Sequence, residues 1–319
     1  MPGKGILQKY ASNRMKQRVV FLVGPTAIGK SDIAVILAKK INAEIISCDS
    51  MQIYKGMGIV TSAPGGALRK KVPHHLIDLI PSSREYNVSG YRKDALFIMR
   101  DIIRRGKTPL FVGGTGLYMS ILIEGIFQQD VHDELMRQKL YALARKKGSV
   151  YLHKELEKVD SVAAAKIHPN DTRRIVRALE VFKVTGKPIS ALQKERHGLR
   201  DDYRLKVICL NMLRDKLYKK IEARVDQMFS SGLVKEVKKL LVKPLSKTAS
   251  CAIGIKELNG YFEGAYGIDE AKELMKTNTR HYAKAQLTWF RKDKQTKWVN
   301  INEKQSRAEI VKKILNKIR

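Results

Sequence analysis

Gly24-Pro25-Thr26-Ala27-Ile28-Gly29-Lys30-Ser31 is the stretch on which the fold turns. It fits G-x-x-x-x-G-K-[ST], a phosphate-binding loop, which requires a strand before it and a helix after it. The apolar run 19–23 leads in, and Ile33, Ala34, Leu37 and Ala38 lead out at helical spacing. Glycines let successive backbone N–H groups turn toward one anion, and the following helix presents its positive end. Lys30 adds a point charge for terminal phosphates, and the Ser31 hydroxyl is expected to ligate Mg2+. A ligand-free Gly-rich turn is the plainer alternative, but Gly, Lys and Ser all fall in register after a strand. The motif implies a polyphosphate without saying what carries it.

Outward from the loop, 44–47 reads as a second buried strand, so that 19–47 is a βαβ opening of a parallel sheet. Cys48-Asp49-Ser50 then sits at a carboxyl strand end, the edge of open α/β sheets at which ligands bind. Asp49 there could accept a proton or hold Mg2+ through water, although Asp-Ser also favours a simple turn. Residues 55–73 read as a loop, 88–105 as a helix and 108–112 as a strand entering Gly113-Gly114-Thr115-Gly116. Thr115 could meet the same anion, or merely shape a turn. From 128 to 202 no convincing strand is found. Helices are expected over 134–147 and 151–159, and His168-Pro169-Asn170-Asp171 caps a helix over Thr172–Thr185 ended by Gly186. Then come a strand at 206–210, a helix over 216–241 interrupted at Gly232, a helix over 269–291, a strand at 298–301 and a helix over Arg307–Ile318. The predicted fold is α/β, a P-loop NTPase-like parallel sheet flanked by helices, with an inserted all-helical domain. Its parts are a basic tail (1–18), the core's first part (19–127), the helical insertion (128–202) and the core's second part with the closing helices (203–319).

With 319 residues, 44% of them hydrophobic, the chain can bury a substantial core. Its 62 basic residues outnumber 31 acidic ones, for a net charge of +31. Small anionic substrates need only local cations, so the excess points to RNA, DNA or an anionic membrane. A general lysine bias is the alternative. Cys48, Cys209 and Cys251 are scattered, which argues against disulfides or zinc and fits the reducing cytoplasm. No apolar run is long enough to span a membrane. Residues 1–18 are basic and acid-free, superficially like a signal peptide with 19–23, but cleavage there would destroy the phosphate loop. Neighbouring His74 and His75 on an extended segment face opposite ways, so no metal site is expected there.

Two helices carry basic patterns. Arg173, Arg174 and Arg177 crowd a helix N-terminus, where cations oppose the dipole and call for an anionic partner. Arg280, Lys284 and Arg291 share one face of the late helix, with Trp289 and Phe290 expected to pack.

In combination the chain resembles the tRNA dimethylallyltransferase family, from about residue 19 to 300. The resemblance rests on the phosphate loop, Ile46-Ser47-Cys48-Asp49-Ser50-Met51-Gln52-Ile53-Tyr54-Lys55-Gly56-Met57, His74-His75-Leu76-Ile77-Asp78 and Val112-Gly113-Gly114-Thr115-Gly116-Leu117-Tyr118. It extends through His168-Pro169-Asn170-Asp171 with Arg173-Arg174-Ile175-Val176-Arg177-Ala178-Leu179-Glu180, Ala252-Ile253-Gly254-Ile255-Lys256-Glu257 and the Arg280…Gln286…Trp289-Phe290 helix. It implies transfer of a dimethylallyl group from its diphosphate to the exocyclic N6 of the adenosine 3′ of a tRNA anticodon. Asp49 would be the general base, and Gly24–Ser31, Thr115 and Arg280 would hold the diphosphate, with Mg2+ at Ser31. Asp49, Ser50, Met51 and Gln52 would face the target base. Arg173, Arg174, Ile175, Val176 and Arg177, the segment Ala252, Ile253, Gly254, Ile255 and Lys256, and Lys284 would grip the anticodon stem-loop. A monomer without membrane attachment is expected. The sequence departs from the family at Ile255, where an aromatic is usual, and at Ile28, where a small residue is usual. The runners-up are an adenylate isopentenyltransferase acting on free AMP, ADP or ATP, a small-molecule P-loop kinase and a non-catalytic RNA-binding module. The helical insertion and the charge favour tRNA over a free nucleotide.

Overall fold

A computed structural model describes residues 16–127 and 133–319. The expected basic tail, apart from 16–18, and the expected start of the insertion at 128 lie outside the described residues. The strands are β1 (Arg18–Val23), β2 (Ala43–Cys48), β3 (His74–His75), β4 (Thr108–Gly113), β5 (Arg204–Asn211) and β6 (Lys297–Asn300). They form one parallel sheet in the order β3-β2-β4-β1-β5-β6. The longer helices are α1 (Lys30–Lys40), α2 (Val88–Arg104), α3 (Gly116–Ile123), α4 (Glu134–Lys147), α5 (Ser149–Val159), α6 (Thr172–Thr185), α7 (Arg214–Ser230), α8 (Leu233–Leu240), α9 (Ile255–Phe262), α10 (Ile268–Phe290) and α11 (Arg307–Ile318).

Helices cover both faces of the sheet, so β1, β2 and β4 are buried almost end to end and read as continuous apolar runs. Alternation along β1 sends Val20 and Leu22 to one face, where they meet Ile33 and Leu37 of α1 and Ile310 and Ile314 of α11. Phe21 points the other way and stacks on Phe111 at 4.7 Å. Beyond it Tyr91 of α2 stacks on Tyr118 of α3 at 3.7 Å. The charged exception is Glu44, 2% exposed in β2. It accepts hydrogen bonds from Arg105, from Lys107 at 2.7 Å and from His75 at 2.9 Å. The Arg105 guanidinium above all holds its carboxyl far below the usual range, against the pull of burial.

The chain divides into two compact units, the sheet with its flanking helices and Ile123–Asp201. The described residues of the second unit contain helices and no strand. Asp171 caps α6 by accepting the Arg174 N–H at 3.2 Å, and Gly186, at φ 71°, ends it. Ile175, Val176 and Leu179 of α6 pack on Leu140, Leu152 and Leu156. Glu180 is fully buried beside them and accepts from the Asp133 N–H at 3.0 Å, Arg177 at 2.7 Å and Arg137 at 2.9 Å. Burial pushes its pKa up, but these donors together outweigh it and hold the carboxyl below its ordinary value. Among the described residues no helix is long and apolar enough to cross a membrane.

Candidate active site

The phosphate loop leaves the carboxyl end of β1, flanked by β4 on one side and β5 on the other. Gly29 caps α1 at φ 90°, a left-handed conformation in which a Cβ would be strained. Ala27 is left-handed too, at φ 63°, so the loop itself stores strain. Ile28 is 1% exposed and belongs to the sheet's core cluster, so its side chain points away from the ligand space. The Lys30 ammonium is drawn under the loop, donating to the carbonyls of Gly24 at 2.9 Å and Pro25 at 2.7 Å. Burial, and next the nearby Arg224, lower its pKa to about 8.

A cavity of about 300 Å³ opens above the loop, lined by Thr26, Gly29, Lys30, Ser31, Asp49, Gly114 and Gln286 among others. A second, of about 320 Å³, has Val60, Ile221, Val225, Met228 and Met275 as apolar walls, with the polar Ser50 and Thr115 and the apolar Met51 also lining it. Thr26, Asp49, Thr61, Arg224 and Tyr282 line both. One side is thus built for an anion and the other for an apolar group, with a carboxylate where they meet.

Sheet register brings Asp49 and Thr115 together. Cys48 of β2 pairs with Gly113 of β4, so the two strands end side by side. The Thr115 N–H donates to the Cys48 carbonyl at 3.1 Å, and the Ser50 N–H to the Thr115 hydroxyl at 3.0 Å. Asp49 Oδ1 accepts the Met51 N–H at 3.0 Å, a turn that orients the carboxylate rather than consuming it. The glycines after β4 permit close approach. A Cβ at Gly113 would overlap the Cys48 backbone, one at Gly114 the Gln286 amide, and one at Gly116 the Trp289 indole. Buried Gln286 ties both loops to α10, accepting the Thr26 N–H at 2.9 Å and donating to the Gly114 carbonyl at 2.9 Å. Trp289 packs against Gly116 while staying partly exposed, and Phe290 is fully buried. Tyr282 keeps 39% of its surface, but its hydroxyl end meets Thr115 and Gln286, and burial followed by the Asp49 charge pushes its pKa up.

Sequence reasoning missed Arg224 and Tyr282 and gave Gln286 no role. Arg224 donates from Nε to the Ser62 hydroxyl at 2.8 Å and from a terminal nitrogen to the Thr26 hydroxyl at 3.2 Å. Burial lowers its pKa and the Asp49 charge partly restores it. A signal was present: Arg224 interrupts the apolar stripe Leu217, Ile221, Val225, Met228 of α7.

Several expected site residues lie elsewhere. Arg280 lines neither cavity and instead donates to Glu222 at 2.8 Å and to the Thr277 hydroxyl at 2.9 Å. Ile175 and Val176 are core residues, and Arg177 is bound to Glu180, which leaves Arg173 and Arg174 as the exposed cations of that group. Ile255 is 2% exposed, so its side chain cannot touch RNA. Of that segment Ala252 and Ile253 line the apolar cavity, Gly254 is buried and Lys256 is exposed. Lys284 lies in a shallow surface depression with His281, Trp289 and Lys292. Ser50 and Met51 border the apolar cavity and Gln52 the phosphate side. The Ser31 hydroxyl and the Asp49 carboxylate share the phosphate cavity, an oxygen donor set that suits Mg2+.

The family model for IPP transferase matches residues 52–293, and one for isopentenyl transferase matches 17–73. The chain belongs to the tRNA dimethylallyltransferase family. A family member from Carboxydothermus hydrogenoformans is 47% identical over 303 residues, covering 94% of this chain and 97% of that protein. One from Thermotoga maritima is 46% identical over 286 residues, 89% of this chain and 92% of that one. Among solved structures, the tRNA isopentenylpyrophosphate transferase of Bacillus halodurans is 40% identical with a TM-score of 0.70, covering 95% and 97% of the two chains. A eukaryotic dimethylallyltransferase acting on tRNA is 28% identical with a TM-score of 0.75, over 90% of this chain and 74% of that chain.

Proposed function

We propose that the chain transfers a dimethylallyl group from dimethylallyl diphosphate to the exocyclic N6 of the adenosine 3′ of the anticodon in tRNA. The observation that carries this reading is the shared wall of the two cavities, with Asp49 between a cation-lined cradle and an apolar space. Lys30, Arg224 and the N–H groups of the phosphate loop bind the diphosphate, and the apolar walls take the allylic tail. The allylic carbon–oxygen bond breaks toward the diphosphate, whose departing charge these preset donors stabilise. The N6 lone pair, weakened by delocalisation into the ring, forms the new carbon–nitrogen bond as Asp49 takes a proton from N6. Thr115, held against Ser50, fixes the clearance between base and donor. Ser31 would hold Mg2+, which when bound neutralises diphosphate charge. The acceptor base must leave its stack, at a cost of about a few kcal/mol, which contacts from Arg173, Arg174, Lys256 and Lys284 to RNA phosphates would offset. Arg280, engaged with Glu222, would reach the diphosphate only by exchanging that partner. A monomer working in the cytoplasm completes the reading.

The test follows label from dimethylallyl diphosphate into purified tRNA and, separately, into AMP, with and without Mg2+. Label in tRNA is expected; label in AMP and never in tRNA overturns the reading. Asp49→Asn is expected to lower turnover by about 10²-fold or more while tRNA still binds. Full turnover in that variant removes Asp49 as the base.

A further inference from the structure

The segment 57–62 connects the two cavities to a carboxylate outside both. Val60 and Thr61 line the apolar space, Thr61 and Ser62 the phosphate space. Its backbone is not held by the sheet. Glu236 of α8 holds it instead: one carboxylate accepts the Ile59 N–H at 2.9 Å and 3.0 Å and the Val60 N–H at 2.8 Å. Such hydrogen bonds to a charged acceptor are among the stronger ones in proteins. The turn closes through Thr61 N–H to the Met57 carbonyl at 3.1 Å and Ala63 N–H to the Gly58 carbonyl at 3.0 Å. It leaves Ser62 left-handed at φ 45°, a conformation a serine keeps only when its surroundings impose it. That conformation aims the Ser62 hydroxyl at Arg224 Nε, 2.8 Å away, and Arg224 reaches on to Thr26 of the phosphate loop.

We infer that Glu236 is a positioning residue: through the 57–62 turn and Ser62 it sets the Arg224 guanidinium at the junction of the cavities, ready for an anionic diphosphate. The placement has a physical need. Arg224 and Lys30 are like charges in one enclosed space, and with no ligand to bind, repulsion drives them apart. A flexible arginine would swing out to water; one clamped by Ser62 stays. Glu236 lines neither cavity, and of the turn it holds, Ser62 is the residue that bonds Arg224. The inference rests on reading this site as a diphosphate cradle.

The experiment measures inorganic diphosphate binding by calorimetry, with thermal unfolding alongside, for wild type, Glu236→Gln, Ser62→Ala, Arg224→Ala and the Glu236→Gln/Arg224→Ala pair. Glutamine replaces one acceptor oxygen by an amide that faces N–H groups. Misplacing a binding group by about 1 Å can cost up to 10²-fold, so a rise in Kd of at least about tenfold is expected for Glu236→Gln. A smaller rise is expected for Ser62→Ala. In the Arg224→Ala background Glu236→Gln should add nothing, since the group it positions is gone. A purely structural role would lower the melting temperature and leave Kd unmoved, or give additive losses; either result overturns the inference. Should Glu236→Gln not fold, Ser62→Ala and Glu236→Asp carry the test, and wild-type Kd in both overturns it. Because the readout is diphosphate binding, failure of prenyl transfer in the wild type would sink the proposed reaction without touching this result.

Discussion

Lys30 is held against its own preference in the free protein. Burial and Arg224 bring its pKa down to about 8 from 10.5. Between those values the unfolded chain carries a proton that the folded chain has shed, so this group's contribution makes folding stability rise with pH through that window. Below about pH 8 the buried charge is a standing cost to the fold, and the proposed diphosphate would relieve it. Donor affinity should therefore weaken as pH passes about 8, by up to about tenfold per unit, because the proton must be put back on binding. In Lys30→Arg, whose guanidinium stays charged, the affinity should be flat between pH 7 and 9.5 even if lower in absolute value. Titrating a non-hydrolysable donor analogue against both proteins checks this; parallel pH profiles would remove Lys30 as the titrating group.

At the scale of elements, the site is a meeting of strand ends fastened by one helix. α10 contributes Gln286 to both loops and Trp289 to the floor beneath Gly116. Gln286→Ala leaves the Thr26 N–H and the Gly114 carbonyl without a protein partner, a loss of about 2–3 kcal/mol. A lower melting temperature together with a raised donor KM is expected; a lower melting temperature alone would mean that the helix steadies the fold and not the phosphate loop. The strand side of this arrangement was legible in the sequence. The loop, the strands around it, the cap at Asp171 and the break at Gly232 all follow from local chemistry that a linear reading contains. The helix side was legible only in part. Helical spacing says that Arg280 and Lys284 share a face, but not which cation the fold turns inward. The inward cation is Arg224, on a different helix. Likewise Arg177 looked like its neighbours Arg173 and Arg174 until buried Glu180 claimed it. A long side chain's partner is decided by packing between elements distant in sequence, which neither periodicity nor motif spacing records.

For the whole molecule, the excess of positive charge has no matching internal demand. With a net charge of +31, many cations remain for an outside polyanion. Reversing the exposed pair with Arg173→Glu/Arg174→Glu should weaken tRNA binding at low salt by at least about tenfold and flatten its dependence on log salt by about two contacts. Diphosphate binding, proposed for the unit that carries the phosphate loop, should not change. Filter binding over a range of salt concentrations checks both, and an unaltered slope would place the RNA footprint on other cations.

The contact between Gly113 and the Cys48 backbone bears on which donors the pocket could be remade to take. No side chain separates the strand ends that carry Asp49 and Thr115, so that seam offers nothing to trim. With the allylic tail seated in the apolar cavity as proposed, room for a longer isoprenoid would come from Met228 and Met275 in its wall, which are unbranched and pliable. On that reading, shortening those two methionines would retune donor size while Asp49 and Thr115 keep their spacing.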